Sequence, residues 1–206
     1  MKNGNRPETS AMLTQLRIAV VTLILFTIVT GVLYPLAVTG IAQLAFAHKA
    51  NGSLIVMDGK PVGSELIGQP FSKPGYFWGR LSATELFAYN ASASSGSNYG
   101  PLNKSLLDAT RGRVEQLRNA DPLNKQLIPV DLVTASASGL DPHISPAAAF
   151  YQIPRIARER GLPESKVRTL VDRYTEPREL GFLGEPRVNV LKLNLALDNL
   201  IAKGRN

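Results

Sequence analysis

Apolar positions are unevenly spread along this 206-residue chain. From Ile18 to Ala47, 30 consecutive residues include no Asp, Glu, Lys or Arg, and nothing comparable recurs downstream. A helix of about 20 apolar residues crosses the hydrocarbon core of a bilayer. In lipid every backbone amide must find its partner within the segment, so a single span has to be helical. The polar members of the run are mild: Thr22, Thr27, Thr30, Thr39 and Gln43. Threonine hydroxyls bond back to carbonyls of their own helix. Pro35 predicts an end or a kink, and Tyr34 beside it suits a membrane interface. The span is therefore expected near residues 17–36, with Leu36–Ala47 emerging along the interface. Thr27 and Gly31 are four apart, a small-residue face that lets another helix approach closely. Ala45-Phe46-Ala47 resembles a small-x-small cleavage site. The run is far longer than the roughly 7–15 apolar residues of a signal peptide, which favours an uncleaved anchor.

The pattern after residue 48 is that of a water-soluble domain. Asn51–Ser64 reads as a hairpin, with Leu54–Met57 as one arm, Asp58-Gly59 as the turn and Pro61-Val62 resuming. Tyr76-Phe77-Trp78, between stretches rich in Gly, Pro and Ser, predicts a buried aromatic strand. Ser92–Gly100 is a loop by composition. Asn103 can cap a helix with Leu106, Leu107, Thr110, Val114 and Leu117 on one stripe, ended by Pro122. Leu127–Thr134 predicts a second strand, placed at an edge by Pro129. Asp141–Pro146 is a stiff turn, and Ser145-Pro146 is a cap followed by a first-turn proline. That helix runs toward Arg160, bends at Pro154 and stops at Gly161. A further helix follows Pro163, with Val167, Leu170, Val171 and Tyr174 inward. In Asn189–Ala202, Val190, Leu193, Leu197, Leu200 and Ile201 fall at helical spacing, and the alternation from Val188 also permits a strand start. Strands early and helices late predict an α+β class: one N-terminal transmembrane helix, then one compact soluble α+β domain. The divisions expected are 1–16 as a cytoplasmic tail, 17–47 as anchor and emerging segment, and 48–206 as the soluble domain.

Charge adds orientation. The net charge is +7. Three of the 23 basic residues and one of the 16 acidic ones precede residue 48, leaving 20 against 15, a net of +5, for the soluble part. Those signs are mixed along the chain, and no basic block is interleaved with stacking aromatics, which argues against nucleic acid as a partner. Lys2, Arg6 and Arg17 before the apolar run favour a cytoplasmic N-terminus and place residues 48–206 outside the cytoplasm. There is no Cys, which removes disulfides and thiolate metal sites. With only two histidines as well, a protein-held zinc site is not expected.

The motifs of nucleotide, nucleophile-elbow and zinc-protease chemistry are missing; Gly59-Lys60, for example, is followed by Pro61. The nearest approach to a catalytic cluster is Asp141, His143 and Ser145. A triad needs the base within hydrogen-bond reach of the hydroxyl and oriented by the acid. Residues two apart in a proline-rich turn rarely aim that way, so Asp141 and Ser145 are read as satisfying turn and helix-start amides. A tethered exported hydrolase using Ser145 and His143 is the alternative. The loop serines Ser82, Ser92, Ser94, Ser95, Ser97, Ser136 and Ser138 can present amides to phosphates, though ordinary turn chemistry accounts for them.

Several blocks occur in a fixed order after the anchor. They are Tyr76–Arg80 with Ser82-Ala83, Ser94–Asn98 with Gly100-Pro101, Val130–Thr134, Gly139–Pro146, Tyr151-Gln152 with Pro154-Arg155, and Leu180–Leu191. Together they resemble the C subunit of the Kdp potassium-transporting ATPase, the KdpC family, over nearly the whole chain. Departures are small: Leu81 stands where the family usually has Pro, and the tail before Gln15 is longer and polar. The resemblance implies a non-catalytic subunit of a bacterial inner-membrane pump that imports potassium at the expense of ATP. Its partners would be a channel-like A subunit, a P-type B subunit that hydrolyses ATP, a small F peptide and membrane lipid. Consistent with an accessory role, the chain has neither an Asp-Lys-Thr-Gly phosphorylation motif nor a Thr-Val-Gly-Tyr-Gly filter. The family is described as raising the ATP affinity of the B subunit. That makes Val133–Gly139, with Ser136, Ser138 and Gly139, the candidate nucleotide contact, and no covalently bound cofactor is implied. The matched residues Trp78, Arg80, Ser95, Asn98, Asp141, His143, Ser145, Gln152, Glu185, Arg187 and Asn189 are expected to be structural or to touch other subunits. Thr27 and Gly31 are expected to contact a membrane helix. An outside domain, however, has no cytosolic ATP, which favours a lid or assembly role at the outer mouth of the A subunit.

Overall fold

The apolar run is helical well beyond the expected span. In the computed structural model, which describes residues 7–203, helix α1 (Pro7–Ile28), a π-helical turn (Val29–Leu33) and helix α2 (Tyr34–Ala45) follow one another directly. Lys2 and Arg6 lie outside the described residues. Ser10–Ala45 is long and apolar enough to cross a membrane, with a mean hydropathy of 2.4. Thr27 and Thr30 donate to the Leu23 and Phe26 carbonyls at 2.8 and 2.7 Å. Of the end or kink expected at Pro35, the end does not occur: Ile28, Leu33 and Tyr34 all keep right-handed helical dihedrals. A proline has no amide hydrogen, and its ring crowds the carbonyl four residues back. The π turn lies where that crowding would fall, and the Tyr34 amide donates to Val29, five residues back. The chain thereby admits the proline in the first turn of α2 without breaking the helix. A short helix α3 (Ala47–Ala50) follows a non-helical Phe46.

The chain divides into two units, the first ending at Asn51 and the second beginning at Gly52. The second unit opens with the expected hairpin, β1 (Leu54–Met57) against β2 (Lys60–Ser64). Asp58 and Gly59 both have positive φ, as a two-residue hairpin turn requires. Helix α4 (Lys104–Ala120) is capped by Asn103, whose side chain accepts from the Ser105 amide. Helix α5 (Pro146–Arg160) is capped by the Ser145 hydroxyl, which accepts from Ala148, and carries Pro154 inside it. It stops at Gly161, which adopts φ +63° and returns its amide to the last turn, a conformation costly for any other residue. Helix α6 (Glu164–Tyr174) follows Pro163 and buries Val167, Leu170 and Val171. Helix α7 (Val190–Lys203) closes the chain, with Val190, Leu193 and Leu197 buried. The side chain of Ile201 lies outside the described residues.

Two expected strands do not form. In Tyr76–Trp78, Tyr76 is half-buried and Phe77 and Trp78 are buried, at 0% and 3% exposure, but the segment pairs with no strand. Leu127–Thr134 instead makes a 3-10 turn at Val130–Leu132. There Val130 is exposed and Leu132 buried, and the Thr134 hydroxyl donates back to the Val130 carbonyl. That turn geometry replaces the alternation a strand would need. The main sheet comes from segments too short to read: β3 (His143–Ile144), β4 (Thr175–Glu176) and β5 (Arg187–Asn189), in the order β3-β5-β4, all antiparallel. β5 leads directly into α7, so the strand start and the helix expected near Val188 both occur. The α+β class holds, although strands and helices alternate late in the chain. The core gathers Phe77, Trp78, Leu132 and Ile144 with the inner faces of α5, α6 and α7. Each fully buried Val, Leu, Ile or Phe there contributes about 1.5–3 kcal/mol.

Candidate functional site

Buried backbone must find partners, and the Phe77-Trp78 segment finds them in side chains. Asn194 on α7 accepts from the Phe77 amide at 2.9 Å and donates to the Phe77 carbonyl at 3.0 Å. Gln152 on α5 does the same for Trp78, at 2.8 and 3.1 Å. Two carboxamides thus replace the neighbouring strand that the sequence suggested. Gln152 also accepts from Arg155 at 2.7 Å. The Arg155 guanidinium, 2% exposed, stacks 4.4 Å from the Trp78 ring and donates to the Pro74 carbonyl. Burial pulls its pKa down to about 10, opposed by the charge of Asp121. Arg113 on α4 lies 5.1 Å from the same ring and donates to the Leu132 and Gly79 carbonyls.

Beyond Trp78 the chain passes through Arg80 into a cleft of about 340 Å³. Its lining brings together six residues picked out from the sequence: Arg80, Asp141, His143, Ser145, Glu185 and Arg187, with Asp131 added. Asp141 accepts from Arg80 at 3.2 Å and from the His143 amide at 3.0 Å, and it lies 3.5 Å from the His143 ring nitrogen Nδ1. Burial raises the Asp141 pKa, but hydrogen bonds from His143 and Arg80 outweigh it and hold the carboxyl below the usual range. Ser145 is fully engaged. Its hydroxyl accepts from Ala148 at 3.0 Å and meets Asp131 at 3.2 Å, while its amide donates to Asp131 at 2.7 Å. The hydroxyl proton is therefore directed at Asp131 rather than at His143, which removes the hydrolase alternative: Ser145 is a cap. Arg187 bridges Glu176 and Glu179 at 3.0 and 3.2 Å, and Glu185 pairs with Arg178 at 2.7 Å. Asn189 donates to the Glu65 carbonyl and accepts from the Lys192 amide, opening α7.

The small-residue stretch is stitched to two other segments. The Ser136 amide donates to the Leu81 carbonyl, and the Ser138 carbonyl accepts from the Ser95 amide and the Ser94 hydroxyl. The Ser138 hydroxyl accepts from the Leu140 amide, and the Ser82 hydroxyl donates to the Gly139 carbonyl at 2.7 Å. Gly139 has φ +70°, and a Cβ on it would lie 2.5 Å from Thr84 Cγ2 and 2.7 Å from the Ser95 carbonyl. Asn98 is exposed with φ +50°. In the membrane segment Thr27 and Gly31 are exposed, and Gly31 has open space where a Cβ would stand.

Sequence reasoning missed Asp131, Arg113 and Asn194. Asn194 carried a signal, a carboxamide beside the apolar stripe of the last helix. Asp131 lay within the Val130–Thr134 block but was not singled out there, and Arg113 carried no signal, because its partners are distant in sequence. Chemically, the cleft is a set of closed ion pairs and caps without a free nucleophile held against a base.

The chain matches the family model KdpC, described as "K+-transporting ATPase, c chain", over residues 16–199. A protein of Polaromonas naphthalenivorans named potassium-transporting ATPase KdpC subunit is 67% identical over 185 residues, 90% of this chain and 94% of that protein. Proteins of the same name from Methylococcus capsulatus and Dechloromonas aromatica are 64% and 62% identical, each over 92% of this chain and over 100% and 99% of their own lengths. The chain belongs to the KdpC family, the non-catalytic C subunits of potassium-transporting ATPases.

Proposed function

We propose that this chain works at the outer mouth of the channel-like A subunit of a Kdp pump, as an assembly or ion-access subunit beside the ATP-hydrolysing B and small F subunits. The complex imports potassium, the ion named for its relatives. Residues 1–16 lie in the cytoplasm, 17–47 form the anchor of a bacterial inner membrane, and 48–206 lie outside. The observation that carries this reading is the closed state of the cleft. Arg80, Asp141, His143, Ser145, Glu185 and Arg187 are engaged in ion pairs and caps, an arrangement suited to presenting a fixed surface. The basic residues ahead of the anchor support the orientation, and Thr27 and Gly31 supply a small face for a neighbouring helix. Direct contact with ATP through Ser136, Ser138 and Gly139 is the competing reading for the family. It is disfavoured by the inward bonds of that stretch. Pull-down of the full chain from native membranes should retain two larger membrane proteins, the A and B subunits. Hydrolytic turnover by the purified chain, with no such partners, would refute the proposal. Photolabelling of the assembled complex with labelled ATP should leave residues 133–139 unmodified, and clean labelling there would move the function to nucleotide binding.

A further inference from the structure

Between β4 and β5, residues 180–183 stand outside the lining of the cleft. They project three large apolar side chains from four consecutive positions. Leu180 is 83% exposed, Phe182 69% and Leu183 49%. Single exposed apolar residues are ordinary, whereas a contiguous group marks an interaction site. This group is also rigid. Glu179 and Leu183 exchange amide-to-carbonyl bonds at 2.9 Å in both directions, and the Gly181 and Phe182 amides donate to Arg178 and Glu179. Leu180 sits at φ +53°, a conformation leucine rarely takes, held there by those bonds. A collar of charge surrounds the tip: Arg178 with Glu185, and Arg187 with Glu176 and Glu179. Within it Glu185 and Glu179 are the most exposed, at 77% and 67% of their side chains against 44% and 38% for Arg178 and Arg187, while Glu176 is at 36%.

We propose that Leu180–Leu183 is a preformed docking knob that inserts into an apolar pocket with a basic rim on another subunit of the same pump. This rests on the reading that the chain acts within a multi-subunit complex. The collar selects the occupant. Anionic lipid recruits clusters of Lys and Arg, and here the basic groups Arg178, Arg187 and Lys192 are all paired, against the four acids Glu65, Glu176, Glu179 and Glu185, of which Glu179 and Glu185 are the most exposed. A second copy of this chain meeting at the same patch would bring together two collars of the same net negative charge. A basic-rimmed protein pocket satisfies both the apolar tip and the collar. Aromatic anchors ringed by polar residues are the usual carriers of interface energy.

The test uses the full chain in native membranes. Phe182→Ser combined with Leu180→Ser should leave the thermal unfolding midpoint unchanged, since both side chains are exposed. Retention of the pump's A and B subunits on the tagged chain should fall about 10-fold or more, the loss expected when a buried anchor is truncated. Phe182→Leu should keep most of that retention, and Glu185→Lys should weaken it. A photocrosslinking residue at position 182 should label a pump subunit identified by mass. Wild-type-like retention by the double variant, or crosslinks to lipid or to a second copy alone, would overturn the knob while leaving the pump reading intact. Failure of the wild-type chain to retain those subunits would remove the pump reading, and the knob with it.

Discussion

Replacing Gln152 by Leu tests the substitution of side-chain amides for a strand. The carboxamide is 1% exposed. It accepts from the Trp78 amide and from Arg155, and it donates to the Trp78 carbonyl. Leucine fills a similar volume and leaves those three groups without that partner. Two neutral groups at about 1–2 kcal/mol each, and one bond to a charged group at about 1.5–3 kcal/mol, sum to roughly 3.5–7 kcal/mol. Burial of the leucine's apolar atoms returns about 1–2 kcal/mol, leaving a net loss of roughly 1.5–6 kcal/mol. For a domain of this size that lowers the melting temperature by roughly 3–24 °C. Trp78 is the only tryptophan in the chain, so its fluorescence during thermal unfolding reads the site directly. Gln152→Glu keeps both acceptor roles and loses the donor, so it should fall between wild type and Gln152→Leu. A loss below about 1 kcal/mol for Gln152→Leu, the value of one ordinary hydrogen bond, would mean that the Trp78 backbone finds partners elsewhere and would refute the reasoning.

Three other outcomes are expected. Because the folded pKa of Asp141 lies below its ordinary value, its contribution is fully present above about pH 4 and is lost as pH falls through the lowered value. Urea midpoints measured from pH 6 to pH 2 should therefore drop more steeply for wild type than for Asp141→Asn, and equal slopes would exclude the Arg80–Asp141–His143 linkage. Gly139→Ala meets both an unfavourable φ and the Thr84 and Ser95 atoms and should cost about 2–4 kcal/mol. Gly161→Ala has a similar φ but open space and should cost about 1 kcal/mol, so the order of the two denaturation midpoints is the measurement. Ser145→Ala should lower stability by about 1 kcal/mol through loss of the cap while leaving ATP-driven potassium uptake near wild type, and abolished transport by a folded variant would restore a chemical role for Ser145.

Local signals were read well where a few neighbouring residues decide the outcome. Asn103, Ser145-Pro146 and Gly161 mark helix ends by bonds to their own neighbours, and Asp58-Gly59 fixes a hairpin in the same way. The apolar run was legible because lipid demands one contiguous pattern. Tyr76–Trp78 and Leu127–Thr134 misled because both are apolar and punctuated like strands, yet their partners are carboxamides and a 3-10 turn. The three-stranded sheet was invisible, since two- and three-residue strands carry no period. Of the cleft, Arg80, Asp141, His143, Ser145, Glu185 and Arg187 entered through family resemblance, and no spacing rule joins Arg80 to Asp141 across 61 residues. The π turn before Pro35 escaped because only the carbonyl it relieves reveals it.

The two carboxamide clasps set the timing of folding. Trp78 waits 74 residues for Gln152, and Phe77 waits 117 for Asn194. As the chain leaves the ribosome, the Phe77-Trp78 segment emerges long before either clasp exists. Its Phe77 backbone stays unclasped until α7 is made, because contacts so distant in sequence form late. A chain cut short before residue 194 would leave the Phe77 backbone unclasped and its aromatic face open to aggregation or to a chaperone. Closure of this segment is thus tied to the synthesis of α7, through the fifth residue of that helix.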